Sequence, residues 1–322
     1  MRVFCTLFDS YYADRGLLLY ESIKENCKNF RLYIFAFDDL VYSTFLKMKL
    51  KGVTVVPLKD FEDKQLLSAK KSRSKVEYMW TCSSSTILYV LEKFKEKECT
   101  YLDADTFFYS DPSKLVSEMG KSSILLTTHN YASQYDQSAV SGKYCVQFMT
   151  FKNEVKGMKA LRWWRNACLD WCFAKPEEGK FGDQKYLDDW TERFEGVYVS
   201  QNIGAGVAPW NMQKFEAIGD NEIVEPTTGK KTKIVFFHFH ALKIQGSNAN
   251  LCPYRLPKSF KSFIYLPYLK QVLAARKRLN MVDSRFFGEN FVPKMTLKTL
   301  IIDLIRYAKG ELNIIDIGKL KV

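Results

Sequence analysis

The chain has 322 residues, of which 47% are hydrophobic, 15% aromatic and 26% charged, and its formal net charge is +12. This composition excludes a disordered or low-complexity protein. No run approaches the roughly 18 apolar residues of a transmembrane helix, and the first residues lack the apolar centre of a signal peptide. The eight cysteines contain no CxxC pair, which is typical of reduced thiols. We therefore expect a cytoplasmic protein.

The first half of the chain alternates predicted strands with predicted helices. Apolar runs predict strands at residues 3–8, 31–37 and 53–58. Helical spacing follows the first two strands, and Asp14 is predicted to cap the first helix. Residues 70–95 are predicted to be helical at least in their second half, and a further strand ends in the sequence CTYLDAD. This alternation predicts an α/β fold with a doubly wound, mainly parallel sheet and flanking helices.

The second half of the chain is mixed. It contains predicted strands at 123–128, 144–151 and, last along the chain, 233–240, and predicted helices at 156–173 and 182–194. After Cys252 the composition changes to a basic, aromatic segment, with helices predicted at 268–279 and 297–309. We therefore expect a catalytic domain over residues 1–252 and a basic, helical C-terminal extension over 253–322.

Two carboxylates separated by one small residue follow the fourth predicted strand. They are Asp103 and Asp105, with Ala104 between them allowing close approach of a ligand. In doubly wound sheets, ligands bind outside the carboxyl ends of the strands. Carboxylate oxygens there bind hard divalent cations, and such a cation neutralises the charge of a departing diphosphate. A solvated acidic turn is the alternative.

The strand-then-DxD pattern resembles the GT-A fold glycosyltransferases, and among them glycosyltransferase family 8 and related bacterial sugar transferases. The resemblance covers residues 2–243 and implies a Rossmann-like catalytic domain that uses a nucleotide-sugar donor, expected to be a UDP-sugar, with Mn²⁺ or Mg²⁺. It also implies retention of anomeric configuration. The acceptor implied is a glycan or a lipid-linked glycan of bacterial surface polysaccharide or lipopolysaccharide synthesis.

The block HFHALK is similar to the family's block with a metal-ligating histidine and a phosphate-binding lysine. Imidazole is a common metal ligand, and lysine pairs with phosphate. His238 or His240, or both, are therefore expected to bind the metal, and Lys243 the diphosphate. The block lacks the family's usual glycine and the following Pro-Trp, so which histidine is the ligand stays open.

The resemblance also implies roles for residues elsewhere in the chain. Asp183 and Gln184, in the sequence FGDQKYLDDW, would lie beside the anomeric carbon as the catalytic pair; the alternative for Asp183 is a helix N-cap. The remaining candidates, which would contact the base, the ribose or the diphosphate of the donor, are Asp9, Tyr11, Asp38, Arg73 and Lys75. The alternative is a helix cap for Asp38 and a solvated basic run for Arg73 and Lys75. Two weaker candidates are Gln147, facing the donor sugar, and Trp210, stacking on the acceptor.

The segment 255–322 holds 14 basic and 5 acidic residues, and its last predicted helix is amphipathic. This pattern favours contact with an anionic membrane surface over packing on the catalytic domain. No nucleic-acid-binding motif is present, so we expect no nucleic-acid partner. The alternative functions are a sugar-phosphate nucleotidyltransferase, which should carry a Gly-rich loop after the first strand, and a non-catalytic nucleotide-sugar-binding protein. The oligomeric state is left open.

Overall fold

The computed structural model describes residues 1–287 and 297–320, except the side chains of 297–300. The strands are β1 (Arg2–Phe8), β2 (Phe30–Ala36), β3 (Val53–Pro57), β4 (Glu98–Leu102), β5 (Thr106–Phe108), β6 (Ile124–Thr128), β7 (Tyr144–Lys152), β8 (Val197–Val199), β9 (Ala205–Val207), β10 (Glu216–Gly219), β11 (Glu222–Val224), β12 (Lys231–Lys233), β13 (Phe236–His238), β14 (Lys243–Gln245), β15 (Asn248–Asn250) and β16 (Ile314–Asp316).

The α-helices within the described residues are α1 (Ala13–Asn26), α2 (Asp39–Met48), α3 (Leu58–Phe61), α4 (Lys64–Lys70), α5 (Lys75–Lys93), α6 (Ser113–Glu118), α7 (Ser138–Ser141), α8 (Val155–Asp170), α9 (Trp190–Arg193), α10 (Lys258–Phe260), α11 (Leu266–Val282) and α12 (Leu297–Lys309). A π-helical turn, Lys261–Tyr265, joins α10 to α11. None of these helices has the length and apolar composition needed to cross a bilayer.

The central sheet has seven strands in the order β3-β2-β1-β4-β7-β6-β8. β1 is parallel to β2 and β4, and β2 is parallel to β3. β7 runs antiparallel to both of its neighbours, β4 and β6, while β6 is parallel to β8. The predicted α/β fold with a mainly parallel sheet is thus confirmed. Because β7 runs against β4, its first residues lie at the edge where β4 ends.

A small second sheet, β5-β13-β9, covers that edge. β13 pairs antiparallel with β5, and this pairing places His238 opposite Thr106. The prediction of one last strand over 233–240 is only partly correct, because the strand is short and β14, β15 and β16 follow it. The chain turns after β13, where the amide of Leu242 donates to the carbonyl of Phe239 at 3.2 Å.

Two local predictions are wrong. Residues 182–194 do not form one helix, since they contain only a 3-10 turn, Lys185–Leu187, and the short α9. The indole of Trp164 donates to the carbonyl of Asp183 at 2.7 Å, so a tertiary hydrogen bond occupies a carbonyl that a continuous helix would use. Asp14 does not cap α1 either, because it lies in the first turn, is fully buried and forms ion pairs.

A buried ionic network joins α1 to the C-terminal helix α11. The carboxylate of Asp14 accepts from Nη1 of Arg15 and from Nε of Arg276, each at 2.7 Å. Nη2 of Arg15 donates to the carbonyl of Leu242 at 2.8 Å, in the turn after β13. The predicted helices at 268–279 and 297–309 are confirmed by α11 and α12, whereas the division at residue 252 stays a prediction.

We expect Asp14→Asn to lower the free energy of unfolding by about 3–5 kcal/mol, because it leaves the buried Arg15 without its anion. Glu21→Gln is a matched control: Glu21 is also on α1 and also pairs with an arginine of α11, Arg278, but at a partly exposed position. Its loss should cost only about 0–1 kcal/mol. Urea denaturation of both variants checks the difference, and equal losses would contradict a structural role for the buried network.

Candidate functional site

The ends of β4 and β13 bring two carboxylates and one imidazole together. Asp103 and Asp105 follow β4, and His238 ends β13. Nε2 of His238 lies 3.0 Å from Oδ1 of Asp105 and 3.8 Å from Oδ2 of Asp103. One ligand atom from each residue lies within 4.8 Å of the others. This oxygen and nitrogen donor set fits a divalent cation such as Mn²⁺.

The neighbouring β7 orients the imidazole of His238. Nδ1 of His238 lies 2.8 Å from Oε1 of Gln147, so Nε2 is left to face the two carboxylates. Gly206 makes room for this amide, because an added Cβ would lie 2.3 Å from Nε2 of Gln147. A partner of this kind fixes the tautomer of a metal-ligating histidine. The sequence suggested that Gln147 faces the donor sugar, whereas the structure pairs it with His238.

The charges in this cluster depend on one another. Burial raises the pKa of Asp103 to about 6. Burial acts in the same direction on Asp105, but the charge and hydrogen bond of His238 outweigh it and lower the pKa of Asp105 to about 2. Burial lowers the pKa of His238, but the charge and hydrogen bond of Asp105 raise it by more. The pKa of His238 therefore lies well above its usual range. A divalent cation would compete with the imidazolium proton for these ligands.

The cluster opens into a cavity of about 620 Å³. Apart from the two weaker candidates, Gln147 and Trp210, ten of the thirteen predicted site residues line this cavity: Asp9, Tyr11, Lys75, Asp103, Ala104, Asp105, Asp183, Gln184, His238 and His240. The sheet order explains why they meet, because the carboxyl ends of β1 and β4 and the start of β7 share one edge. Within this set, Lys75 pairs with Asp9, with Nζ 2.5 Å from Oδ2.

The other three predicted residues lie outside the cavity. Asp38 caps α2 and accepts from the amide of Ser10 at 2.7 Å, so it holds the loop that carries Asp9. Arg73 donates to the carbonyls of Leu169 and Asp170 near the end of α8. Lys243 is exposed at the start of β14. Donor contacts by these three residues stay predictions.

Asp183 lies in the cavity wall and is buried. Gly182 precedes it in the left-handed region, with φ of +54°, and faces the ring of Trp80. Burial raises the pKa of Asp183 to about 7, the charge of Asp103 adds to the rise, and Ser83 opposes it by hydrogen bonding. The N-cap alternative is wrong, because Gln184 holds the N-cap position of the following 3-10 turn.

An aromatic wall, formed by His129, Tyr131, Trp210 and Tyr254, lines part of the cavity. His129 stacks on Tyr131 with ring centroids 4.6 Å apart, and burial lowers its pKa to about 3, so the ring is neutral. Trp210 is packed inside the wall with 5% of its surface exposed, and its indole donates to the carbonyl of His129 at 2.9 Å. The predicted stacking of Trp210 on an acceptor stays a prediction.

His129, in the aromatic wall, and Asp9 follow strands that lie on opposite sides of β4. Asp9 follows β1, on one side of β4, and His129 follows β6, two strands away on the other side. Adjacent strands are about 4.8 Å apart, so the ends of β1 and β6, three spacings apart in the sheet, are separated by roughly 14 Å. Apart from Trp210, sequence reasoning missed this wall, because its residues are far apart in the chain and belong to no motif.

We expect His238→Gln to weaken Mn²⁺ binding by at least about 10–100-fold, since even changes to residues that only support a ligand have this effect. His240→Gln should change the affinity less than threefold, because His240 is exposed and does not belong to the ligand cluster. Isothermal titration calorimetry with Mn²⁺ measures both variants. A larger loss in His240→Gln would reverse the assignment of the ligand.

The raised pKa of Asp183 predicts a pH-dependent stability. Between about pH 4 and pH 7 the folded protein holds a proton on Asp183 that the unfolded chain releases. The free energy of unfolding therefore falls as pH rises through this range, by up to about 1.4 kcal/mol per pH unit. Urea denaturation at pH 5 and pH 7 should show a smaller fall for Asp183→Asn than for the wild type. Parallel slopes would place the Asp183 pKa near its ordinary value.

No protein-family model matches the sequence. Two similar proteins come from Bacillus subtilis (strain 168). Uncharacterized protein YfnD is 29% identical over 307 residues, which are 90% of this chain and 94% of the relative. Uncharacterized protein YfnF is 28% identical over 294 residues, which are 88% of this chain and 96% of the relative. Their names assign no activity.

Among solved structures, the galactosyltransferase LgtC, in complex with donor and acceptor sugar analogues, is similar with a TM-score of 0.50. The identity is 11%, over 84% of this chain and 95% of LgtC. Mouse xyloside xylosyltransferase 1 has a TM-score of 0.47 at 10% identity, over 74% and 98% of the two chains. Fold at this distance does not fix function. The solved structural neighbours are GT-A glycosyltransferases, and the chain shares their fold.

Proposed function

We propose that this protein is a metal-dependent glycosyltransferase, which transfers a sugar from a UDP-sugar donor to a glycan or glycolipid acceptor. The observation that supports the proposal best is the cluster of Asp103, Asp105 and His238 in a cavity at the carboxyl edge of the sheet. Ligands bind at this edge in doubly wound folds. We place the reaction in bacterial surface-polysaccharide or lipopolysaccharide synthesis, on the cytoplasmic side of the membrane.

Asp103, Asp105 and His238 would hold Mn²⁺ or Mg²⁺. When bound, the cation supplies positive charge beside the diphosphate, which is the leaving group of the transfer. Ala104 is a suitable residue between the two acids, because its small side chain lets the phosphates approach the backbone. Gln147 keeps the imidazole of His238 turned toward the carboxylates.

The nucleotide would occupy the β1 end of the cavity. There Tyr11 offers a ring for stacking on a base, and Asp9 offers a carboxylate for a ribose hydroxyl. Lys75 is more than half exposed although it pairs with Asp9, so its ammonium is free to turn toward a diphosphate. Asp38 would contribute indirectly, by holding the loop that carries Asp9. Arg73 and Lys243 would need to move in order to reach the donor.

Asp183 and Gln184 would lie beside the donor sugar. Their wall position is fixed by the hydrogen bond from Trp164 to the Asp183 carbonyl and by the packing of Gly182 on Trp80. With a pKa of about 7, Asp183 accepts and releases protons near neutral pH, and as a carboxylate it would stabilise positive charge on the anomeric carbon. We propose retention of configuration, with these two residues as the catalytic pair.

A thermal-shift screen of nucleotides and sugar nucleotides, each with Mn²⁺ and with EDTA, tests the donor. We expect one UDP-sugar to raise the melting temperature with Mn²⁺ and not with EDTA. At a concentration of 100 Kd, such a ligand stabilises the folded state by about 2.7 kcal/mol. If no nucleotide gives a shift with metal, the transferase proposal fails.

Asp105→Asn tests the site itself. We expect UDP release from the identified donor to fall at least about 100-fold, because the variant removes a charged ligand at the point where leaving-group charge develops. Asp189→Asn is the matched control, since Asp189 pairs with Arg193 at an exposed position and should keep wild-type turnover. Full turnover in Asp105→Asn would overturn the assignment of the site. If the wild type binds the donor without turnover, the result would favour a non-catalytic binding protein.

A further inference from the structure

The turn that joins β13 to β14, residues 239–242, has an unfavourable backbone conformation. Its third residue, Ala241, has a φ of +62°, in the left-handed region where the Cβ of an L-residue lies too close to the following carbonyl oxygen. The amide of Leu242 donates to the carbonyl of Phe239, so Ala241 occupies the position at which a turn with positive φ favours glycine. An alanine there is strained, and such strain persists only where the surroundings hold the segment.

Both ends of this turn are held by hydrogen bonds. At its start, the amide of Phe239, which follows His238, donates to the carbonyl of Asp105 at 2.8 Å. At its end, the carbonyl of Leu242 accepts from Nη2 of Arg15 at 2.8 Å. The turn is therefore attached to the proposed metal cluster at one end and to α1 at the other. A displacement of Leu242 would reach Asp105 and His238 through Phe239.

Arg15 can hold a strained segment because it is itself fixed. Its side chain is buried, Nη1 donates to Asp14 at 2.7 Å, and Cζ lies 5.0 Å from the centroid of the Tyr12 ring. Asp14 is held in turn by Arg276 of α11. The planar guanidinium donates in several fixed directions, whereas a lysine ammonium is a single nitrogen on a flexible stem. Arginine can therefore bond Asp14 and the Leu242 carbonyl at the same time.

We infer that Arg15 is a positioning residue for the metal cluster: its bond to the Leu242 carbonyl holds the strained turn in place, and the turn keeps Asp105 and His238 in register for a cation. Arg15 is not among the residues that line the cavity, so it acts through the turn. Helix α11 supports the cluster by the same route, through Arg276 and Asp14. The inference rests on the metal site of the proposed function, and it is independent of the identity of the donor and of the acceptor.

Isothermal titration calorimetry with Mn²⁺ alone, on the full chain without nucleotide, tests this role. Arg15→Lys keeps the positive charge beside Asp14 and removes the fork. We expect its Mn²⁺ affinity to fall about 10-fold, the lower end of the range for changes to groups that support a metal ligand. Arg278→Lys is the matched control, because Arg278 also joins α11 to α1 but pairs with Glu21. It should bind Mn²⁺ like the wild type.

A rescue separates positioning from a general loss of stability. Glycine enters the left-handed region readily, so Ala241→Gly removes the strain that Arg15 opposes. In the double variant Arg15→Lys/Ala241→Gly, Mn²⁺ affinity should recover about fivefold, while Ala241→Gly alone should bind like the wild type. A purely structural defect would show no such recovery, because the glycine does not restore the contact between the guanidinium and Asp14.

Ala241→Val tests the turn with Arg15 intact, and it decides the question if Arg15→Lys fails to fold. A β-branched residue is an outlier at positive φ, so Mn²⁺ affinity should fall about fivefold or more. Unchanged affinity in Arg15→Lys or in Ala241→Val, or the absence of rescue by Ala241→Gly, overturns the positioning role and leaves the proposed function standing. If the wild type does not bind Mn²⁺, the metal site of the proposed function is overturned as well.

Discussion

The hydrogen bond between His238 and Asp105 is the interaction on which this site depends. A half-buried and a buried carboxylate at the end of one strand, Asp103 and Asp105, repel each other and lose hydration, so they need a compensating positive charge. β13 supplies it by pairing with β5, which places His238 opposite the first residue after the acids. Gln147 then sets the orientation of the His238 imidazole, and Gly206 makes room for the Gln147 amide. Arg15 holds the turn that follows β13 by donating to the carbonyl of Leu242.

The same strand order gives the cavity two groups of lining residues. The central sheet places Asp9 and Tyr11 after β1 and His129 and Tyr131 after β6, with the carboxylates that follow β4 between them. A tyrosine ring beside a carboxylate suits a nucleoside, and a wall of neutral rings suits the apolar face of a sugar. The reacting atoms would then meet near Asp103 and Asp105, where negative charge is concentrated and Asp183 lies in the cavity wall.

Features that depend on residues close together in the chain could be predicted from the sequence. Alternating strands and helices predicted the sheet, and the DxD position after an apolar strand predicted the acids that now line the cavity. Features set by distant contacts escaped prediction. Asp183 does not continue a helix because the indole of Trp164 donates a hydrogen bond to its carbonyl. Asp14 forms an ion pair because Arg276, 262 positions later, reaches its carboxylate. The pairing of Gln147 with His238 likewise depends on strand order, which one sequence does not state.

The contact between α1 and α11 has a consequence for synthesis of the chain. Asp14 and Arg15 leave the ribosome long before Arg276, which lies 262 positions after Asp14, and before Tyr268, which stacks on Phe239. Until then, Asp14 lacks its ion pair with Arg276. The ring of Phe239, next to His238, is not yet covered by Tyr268. Contacts of such long sequence separation form late, so we expect the edge of the sheet that carries Asp105 and His238 to become native late in folding.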